Sequence, residues 1–244
     1  MIKPICFGDS WLVDLPFGVG TGGGLGRALF RNVLGLEDWK SVAHAGDSTE
    51  TMMGHAMVAK LVDQLPGCNL MLVSMGGDDF AGDQFREAVN DYAPGMSCSE
   101  AVNSDWVDAC LSEVIADYRE LLAIRDKLAP SCLLVTHSYD FPPPDHMGRG
   151  FLTLGPWLQP GLQDRGWTDP KDQAAIVAEV LKMFEARMAI FAAGNRLHIH
   201  VKTQGTVQTP EHWANELHLN TQGCLVVAKS IHFAILPWID DITA

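Results

Sequence analysis

The chain has 244 residues, of which 47% are hydrophobic, and carries a formal net charge of −13. That is enough apolar material for one substantial core, and a single domain over residues 1–244 is the expectation. The acidic balance argues against nucleic acid or an anionic membrane surface as partner, while leaving the substrate open.

Cys6, Cys68, Cys98, Cys110, Cys132 and Cys224 are scattered, with no Cys-x-x-Cys pair, and several lie in apolar runs where a free thiol packs as a small hydrophobe. Met1-Ile2-Lys3-Pro4 leads directly into the first apolar segment without the h-region of a signal peptide. No apolar stretch in the sequence approaches the roughly 18 residues of a membrane helix. A reducing, cytoplasmic setting is expected from these features.

In chain order, residues 2–7 read as a first strand that runs into Gly8-Asp9-Ser10. Gly18-Val19-Gly20-Thr21-Gly22-Gly23 has the G-x-G-x-x-G spacing. It starts about ten residues beyond the strand and no lysine follows, so a pocket-side loop is the better reading than a nucleotide cradle. A second strand, 40–44, exits through His44-Ala45-Gly46-Asp47 into a helical stretch over 49–64. The third, 69–75, is almost continuously apolar and ends in Gly76-Gly77-Asp78-Asp79. A helix over 106–128 follows, with Asp108, Glu113, Asp117 and Glu120 as its solvated face.

The fourth strand, 132–137, is again nearly all apolar and exits through Ser138-Tyr139-Asp140. Residues 138–171, with Pro142-Pro143-Pro144, Trp157 and Trp167, form a segment too long for a simple connection, so a lid or pocket wall is expected there. A helix over 174–193 precedes the last strand, 197–201, on which His198 and His200 share one face. Spacing places no further ligand beside them, so strand packing is preferred to a metal site. A polar loop containing Asn215, Glu216 and His218 then leads to a helix over 221–236.

Strands alternating with helices imply βαβ units and a mainly parallel sheet covered on both faces. In such sheets ligands collect beyond the carboxyl ends of the strands, which is where the glycines and carboxylates of this chain fall. Ser10 would sit on a strand-to-helix turn among exposed backbone N–H groups, as acyl transfer asks of a nucleophile. Taken alone, Ser after Gly-Asp is more readily read as a helix N-cap than as a nucleophile. His218 is the histidine placed to serve the same edge.

These blocks, in order, resemble the SGNH hydrolases, the GDSL-type esterase/lipase family. Gly8-Asp9-Ser10 resembles its first block, Gly46 the glycine of its second, Gly76-Gly77-Asp78-Asp79 its third and Asn215-Glu216-Leu217-His218 its fourth. The resemblance implies a three-layer α/β/α sandwich with a flavodoxin-like five-stranded parallel sheet. It also implies an ester hydrolase with Ser10 as nucleophile and His218 as base, and an oxyanion hole drawn from the Ser10 N–H, Gly46 and position 78. No metal or organic cofactor is implied, and the partner is a small-molecule ester whose class stays open, although Trp157 and Trp167 favour an apolar or ring-shaped group.

Two positions depart from that pattern. Asp78 stands where the family has asparagine, and an ionised carboxylate there would oppose the oxyanion by about 4 kcal/mol at about 4 Å and an effective dielectric near 20. Asn215 stands where the family has the aspartate that orients the histidine, which leaves Asn215, Glu216 and Asp140 as candidates for that role. The alternatives are a catalytically degenerate relative that binds an ester or glycan, and a flavodoxin-like binding domain with a chance Ser/His pattern.

Overall fold

The computed structural model describes residues 1–14, 24–151 and 153–243, so the glycine-rich loop at 18–23 lies outside the described residues. Five strands form one parallel sheet in the order β2-β1-β3-β4-β5. They are β1 Pro4–Gly8, β2 Lys40–Ala43, β3 Leu70–Ser74, β4 Leu133–His137 and β5 His198–Val201. Every residue of β1, β3 and β4 is buried, whereas the edge strands β2 and β5 are only partly so. The continuous apolar runs seen in the sequence are thus central strands covered on both faces.

Four helices of ten or more residues cover the sheet: α1 His55–Gln64, α2 Ser104–Leu128, α3 Pro170–Ala193 and α4 Thr221–Ile235. α2 packs on α3, and α4 packs on a short helical stretch at 25–33, which builds the expected α/β/α layering. Side-chain caps set three of the starts. Asn103 accepts from Trp106 N–H, Asp169 from Lys171 N–H, and Asn220 from Gln222 and Gly223 N–H.

Where the boundaries differ from the periodicity, the causes are local. The predicted helix over 49–64 is divided, because Gly54 takes an extended conformation between Thr49–Met52 and His55–Gln64. α3 begins before residue 174, since Asp169 with Pro170 at the first helical position starts it ahead of its apolar periodicity. The helical run at the C-terminus continues through Leu236–Trp238 and Ile239–Thr243, because Pro237 falls where no intrahelical N–H is needed. The helical run Thr221–Ile242 therefore has 22 residues, including an 18-residue window with a mean hydropathy of 1.3, longer than the sequence led us to expect. Its inner residues Val227, Ala228, Ile231 and Ile235 are fully buried.

His198 Nε2 and His200 Nδ1 both meet Thr136 Oγ1, at 3.0 and 2.8 Å, and His200 Nε2 meets Glu185 of α3 at 2.9 Å. Those imidazoles join β4, β5 and α3. Trp167 is buried against Tyr92 and donates to Asn90 O at 2.9 Å, so it packs the body of the protein and does not face a ligand cavity.

Candidate active site

β1 ends at Gly8, where φ is +149° and a Cβ would lie 1.9 Å from Ser74 O. Only glycine lets the ends of β1 and β3 come this close, and Asp9 N–H then donates to Ser74 O at 2.8 Å. The chain turns at once into a single 3₁₀ turn, Ser10–Leu12, capped by Asp9 through Trp11 N–H at 3.0 Å. Asp9, not Ser10, is the cap. Ser10 is the first residue of the turn, where a backbone N–H has no partner within the helix.

Ser10 Oγ lies 2.9 Å from His218 Nε2, although 208 residues separate them in sequence. The other imidazole nitrogen, Nδ1, lies 3.0 Å from Asn215 Oδ1. That same oxygen accepts from Leu217 N–H at 2.9 Å and His218 N–H at 2.8 Å. Two backbone donors fix which end of the amide faces the ring, so Nδ1 must carry the proton and Nε2 is left as the acceptor. Asn215 thereby enforces the tautomer a general base requires. Burial pushes the His218 pKa down to about 4. Trp157 stands edge-on to the imidazole with ring centroids 5.5 Å apart, and Trp11 Nε1 donates to Leu217 O at 3.1 Å, tying the first block to the fourth.

Glu216 and Asp140 do other work. The Glu216 carboxylate accepts from the backbone N–H groups of Gly148, Trp157, Leu158 and Gln159. It pins Gly148 and residues 157–159, which makes those parts of the long segment a fixed wall. Asp140 accepts from the N–H groups of Phe141, Gly205 and Val207 at 2.7, 2.5 and 2.7 Å, holding the chain after β5. A carboxylate surrounded by amide donors is structurally committed, so Asn215 alone of the three candidates meets the histidine. Replacing Glu216 by Ala orphans these buried donors. The expected cost is about 3 kcal/mol or more, read as a lowered urea midpoint together with new proteolytic cleavage between 148 and 159.

Three carboxyl groups, two of them lining the cavity that holds Ser10, lie within electrostatic reach of one another. Asp9 is buried and accepts from Ser74 Oγ at 2.8 Å, Trp11 N–H at 3.0 Å and Tyr139 OH. Asp79 accepts from Thr49 N–H at 2.9 Å and Thr49 Oγ1 at 2.8 Å. Asp78 differs: its Oδ2 is buried without a hydrogen-bond partner among the described residues. Burial raises the Asp9 pKa to about 6 against the pull of its donors. Burial, then the charges of Asp9, Asp79 and Asp47, push Asp78 up to about 8, opposed by the Gly46 N–H. Gly46, with φ +84°, is exposed and is not among the residues that line the cavity, so its place beside the oxyanion is not seen in this geometry.

Ser10, Asp78 and His218 share a cavity of about 60 Å³ whose walls are mainly apolar, with Phe80, Phe85, Val180 and Phe184 prominent. Tyr139, which sequence reasoning passed over, organises its floor. Its hydroxyl accepts from Gly77 N–H at 3.0 Å, and its ring lies where a Gly77 Cβ would come within 2.8 Å. Its place at the exit of β4 was the available signal, but its partners come from β1 and β3. No metal-binding cluster of His, Cys, Asp and Glu occurs among the described residues.

The architecture is that of lipases and esterases of the GDSL-like type. The lipase Lip_vut3 from a goat rumen metagenome superposes with a TM-score of 0.64 at 12% identity, over 96% of this chain and 97% of that one. An extracellular lipase from Streptomyces rimosus gives 0.56 at 17% identity, over 95% and 100%. A protein described as a GDSL-like lipase from Parabacteroides merdae gives 0.51 at 12% identity, over 96% and 97%. At these identities the shared property is the fold. No family model and no curated protein sequence matches the chain.

Proposed function

We propose that this protein is a serine ester hydrolase acting on small acyl groups, with Ser10 as nucleophile, His218 as general base and acid, and Asn215 as the residue that orients the imidazole. The observation that carries this reading is the continuous line from Ser10 Oγ through His218 to Asn215 Oδ1, with steps of 2.9 and 3.0 Å. As Ser10 Oγ attacks the acyl carbon, its proton passes to Nε2, and the imidazolium then returns that proton to the leaving alkoxide. Water repeats the sequence on the acyl-enzyme. The unengaged Ser10 N–H provides one backbone donor for the oxyanion.

The acyl pocket sets the size of the substrate. At about 60 Å³ the cavity is less than half of an apolar cavity that holds benzene, about 150 Å³. Acetyl and propionyl esters fit that space, and a long chain does not. The kcat/KM for p-nitrophenyl acetate should exceed that for the octanoate by about tenfold or more. Equal rates for the two would remove the size argument. The reading as a whole is tested by reaction with a fluorophosphonate and mass mapping of the labelled peptide. Label on Ser10 supports it. A folded protein that takes no label and hydrolyses no short ester would favour the non-catalytic binding alternative.

A further inference from the structure

The carboxyl groups of Asp9, Asp78 and Asp79 are not equivalent, and the difference is geometric. Asp9 has three hydrogen-bond donors and Asp79 has two, from both the backbone and the side chain of Thr49. Asp78 Oδ2 has none among the described residues, although it lies buried beside the cavity that holds Ser10 and His218. Hydrogen bonds to a carboxylate favour its charged form, and burial without them favours the acid. When three such groups share one region, the proton goes to the member with the fewest donors. Here that is Asp78.

We propose that Asp78 acts as a neutral carboxylic acid that donates its O–H to the developing oxyanion, and that the buried Asp9 carboxylate helps to hold the proton there. This rests on the hydrolase reading of Ser10 and His218. The groups facing Asp78 come from several elements: Asp9 at the exit of β1, Asp47 after β2, and Asp79 beside it in the loop after β3. His218, Glu216 and Asp140 border the same cavity. Asp47 is itself paired with His44 at 2.9 Å, and the Gly46 N–H is the donor that favours ionised Asp78. Burial contributes most to keeping Asp78 neutral, and Asp9 is the largest of the charges that do so.

In the acylation step the Ser10 proton goes to His218 Nε2 and the carbonyl π pair moves to oxygen. Asp78 donates a hydrogen bond to that oxygen and keeps its proton. Collapse re-forms the C=O bond and expels the alkoxide, which takes the proton from His218. Asp78 is therefore a catalytic residue by contact with the reacting oxygen, and Asp9 is a positioning residue acting through it.

The test uses pH profiles of kcat/KM for p-nitrophenyl acetate, corrected for spontaneous hydrolysis, together with the infrared C=O band of a protonated carboxyl. Wild type should lose activity through a midpoint near pH 8, where Asp78 ionises. Asp78→Asn supplies a donor that does not titrate, so the variant-to-wild-type ratio should rise about tenfold between pH 7 and pH 9. Asp78→Ala should be slower at every pH, by about 10²–10³-fold at neutrality. Asp9→Asn should move the alkaline limb of a folded protein to lower pH, and the double variant Asp9→Asn/Asp78→Asn should lack that limb.

A carboxylic acid band present at pH 6.5 in wild type and missing in Asp78→Asn supports the assignment independently of turnover. An unshifted alkaline limb in Asp78→Asn, or no such band in wild type, overturns it. If the band is present but Ser10 takes no fluorophosphonate and no ester is cleaved, the hydrolase reading fails and the catalytic role of Asp78 fails with it. The response of the band to Asp9→Asn then decides the Asp9 relation alone.

Discussion

Ser10→Ala and His218→Ala should each lower kcat for a short ester by about 10⁴-fold, and the double variant should lose no more than either single one. Nucleophile and base form one proton-transfer unit, so removing the second partner costs nothing once the first is gone. In enzymes with a full Ser-His-Asp set the corresponding loss is about 10⁶-fold. A smaller factor is expected here because Asn215 has no charge with which to stabilise the imidazolium, so less catalysis is there to lose. Additive losses in the double variant would show that the 2.9 Å contact between Ser10 and His218 is not the reacting one.

Asn215→Asp should raise kcat by about 10²-fold near neutrality and move the acid limb of the profile upward. Burial holds the His218 pKa down to about 4 from an ordinary 6.5, and so opposes the imidazolium that the transition state must develop. A carboxylate at Nδ1 would offset much of that penalty, worth up to about 3 kcal/mol. Replacing aspartate by asparagine in a serine protease costs about 10⁴-fold because the wrong tautomer is held. Here the correct tautomer is already enforced by the two backbone donors on Asn215 Oδ1, so the gain is the electrostatic part only. The wild type should keep its activity down to about pH 4 to 5, because its base stays neutral there, whereas Asn215→Asp should lose activity below about pH 6.5. A gain in rate with no upward move of the acid limb would refute this account of Asn215.

How much of this was legible in the sequence depends on the range of each interaction. The five strands and their polar exits could be read locally, because apolar runs and terminal glycines are local signals. Ser10, His218 and Asn215 were legible as short motifs, and the fold brings them together. Glu216 and Asp140 border the cavity, but that their carboxylates are held by backbone amides was not legible, for one shared reason. Apart from the adjacent Phe141, the backbone amides they meet lie about 57 to 68 residues away, and an amide carries no residue type that a sequence pattern can mark. Tyr139 meets Asp9 across 130 residues, and Trp167 reaches Asn90 across 77. Gly46 occupies the expected exit, but its exposure and positive φ follow from a backbone path that composition does not encode. The unequal donor counts of Asp9, Asp78 and Asp79 also emerge only in three dimensions, although the crowding of carboxylates at the strand exits was visible from the start.

Glu216 makes the catalytic loop and the pocket wall a single inherited unit. Its carboxylate holds Gly148 and residues 157–159 while its own backbone lies two residues before His218. A loop exchange that brings in a differently shaped wall will therefore shift the base unless the incoming segment offers amides in the same places. Recombination between distant members of this architecture should succeed when the two segments travel together and fail when they are split, even though about sixty residues of intervening helix and strand lie between them. Altering which esters such a protein accepts is accordingly a matter of transplanting a matched pair of segments.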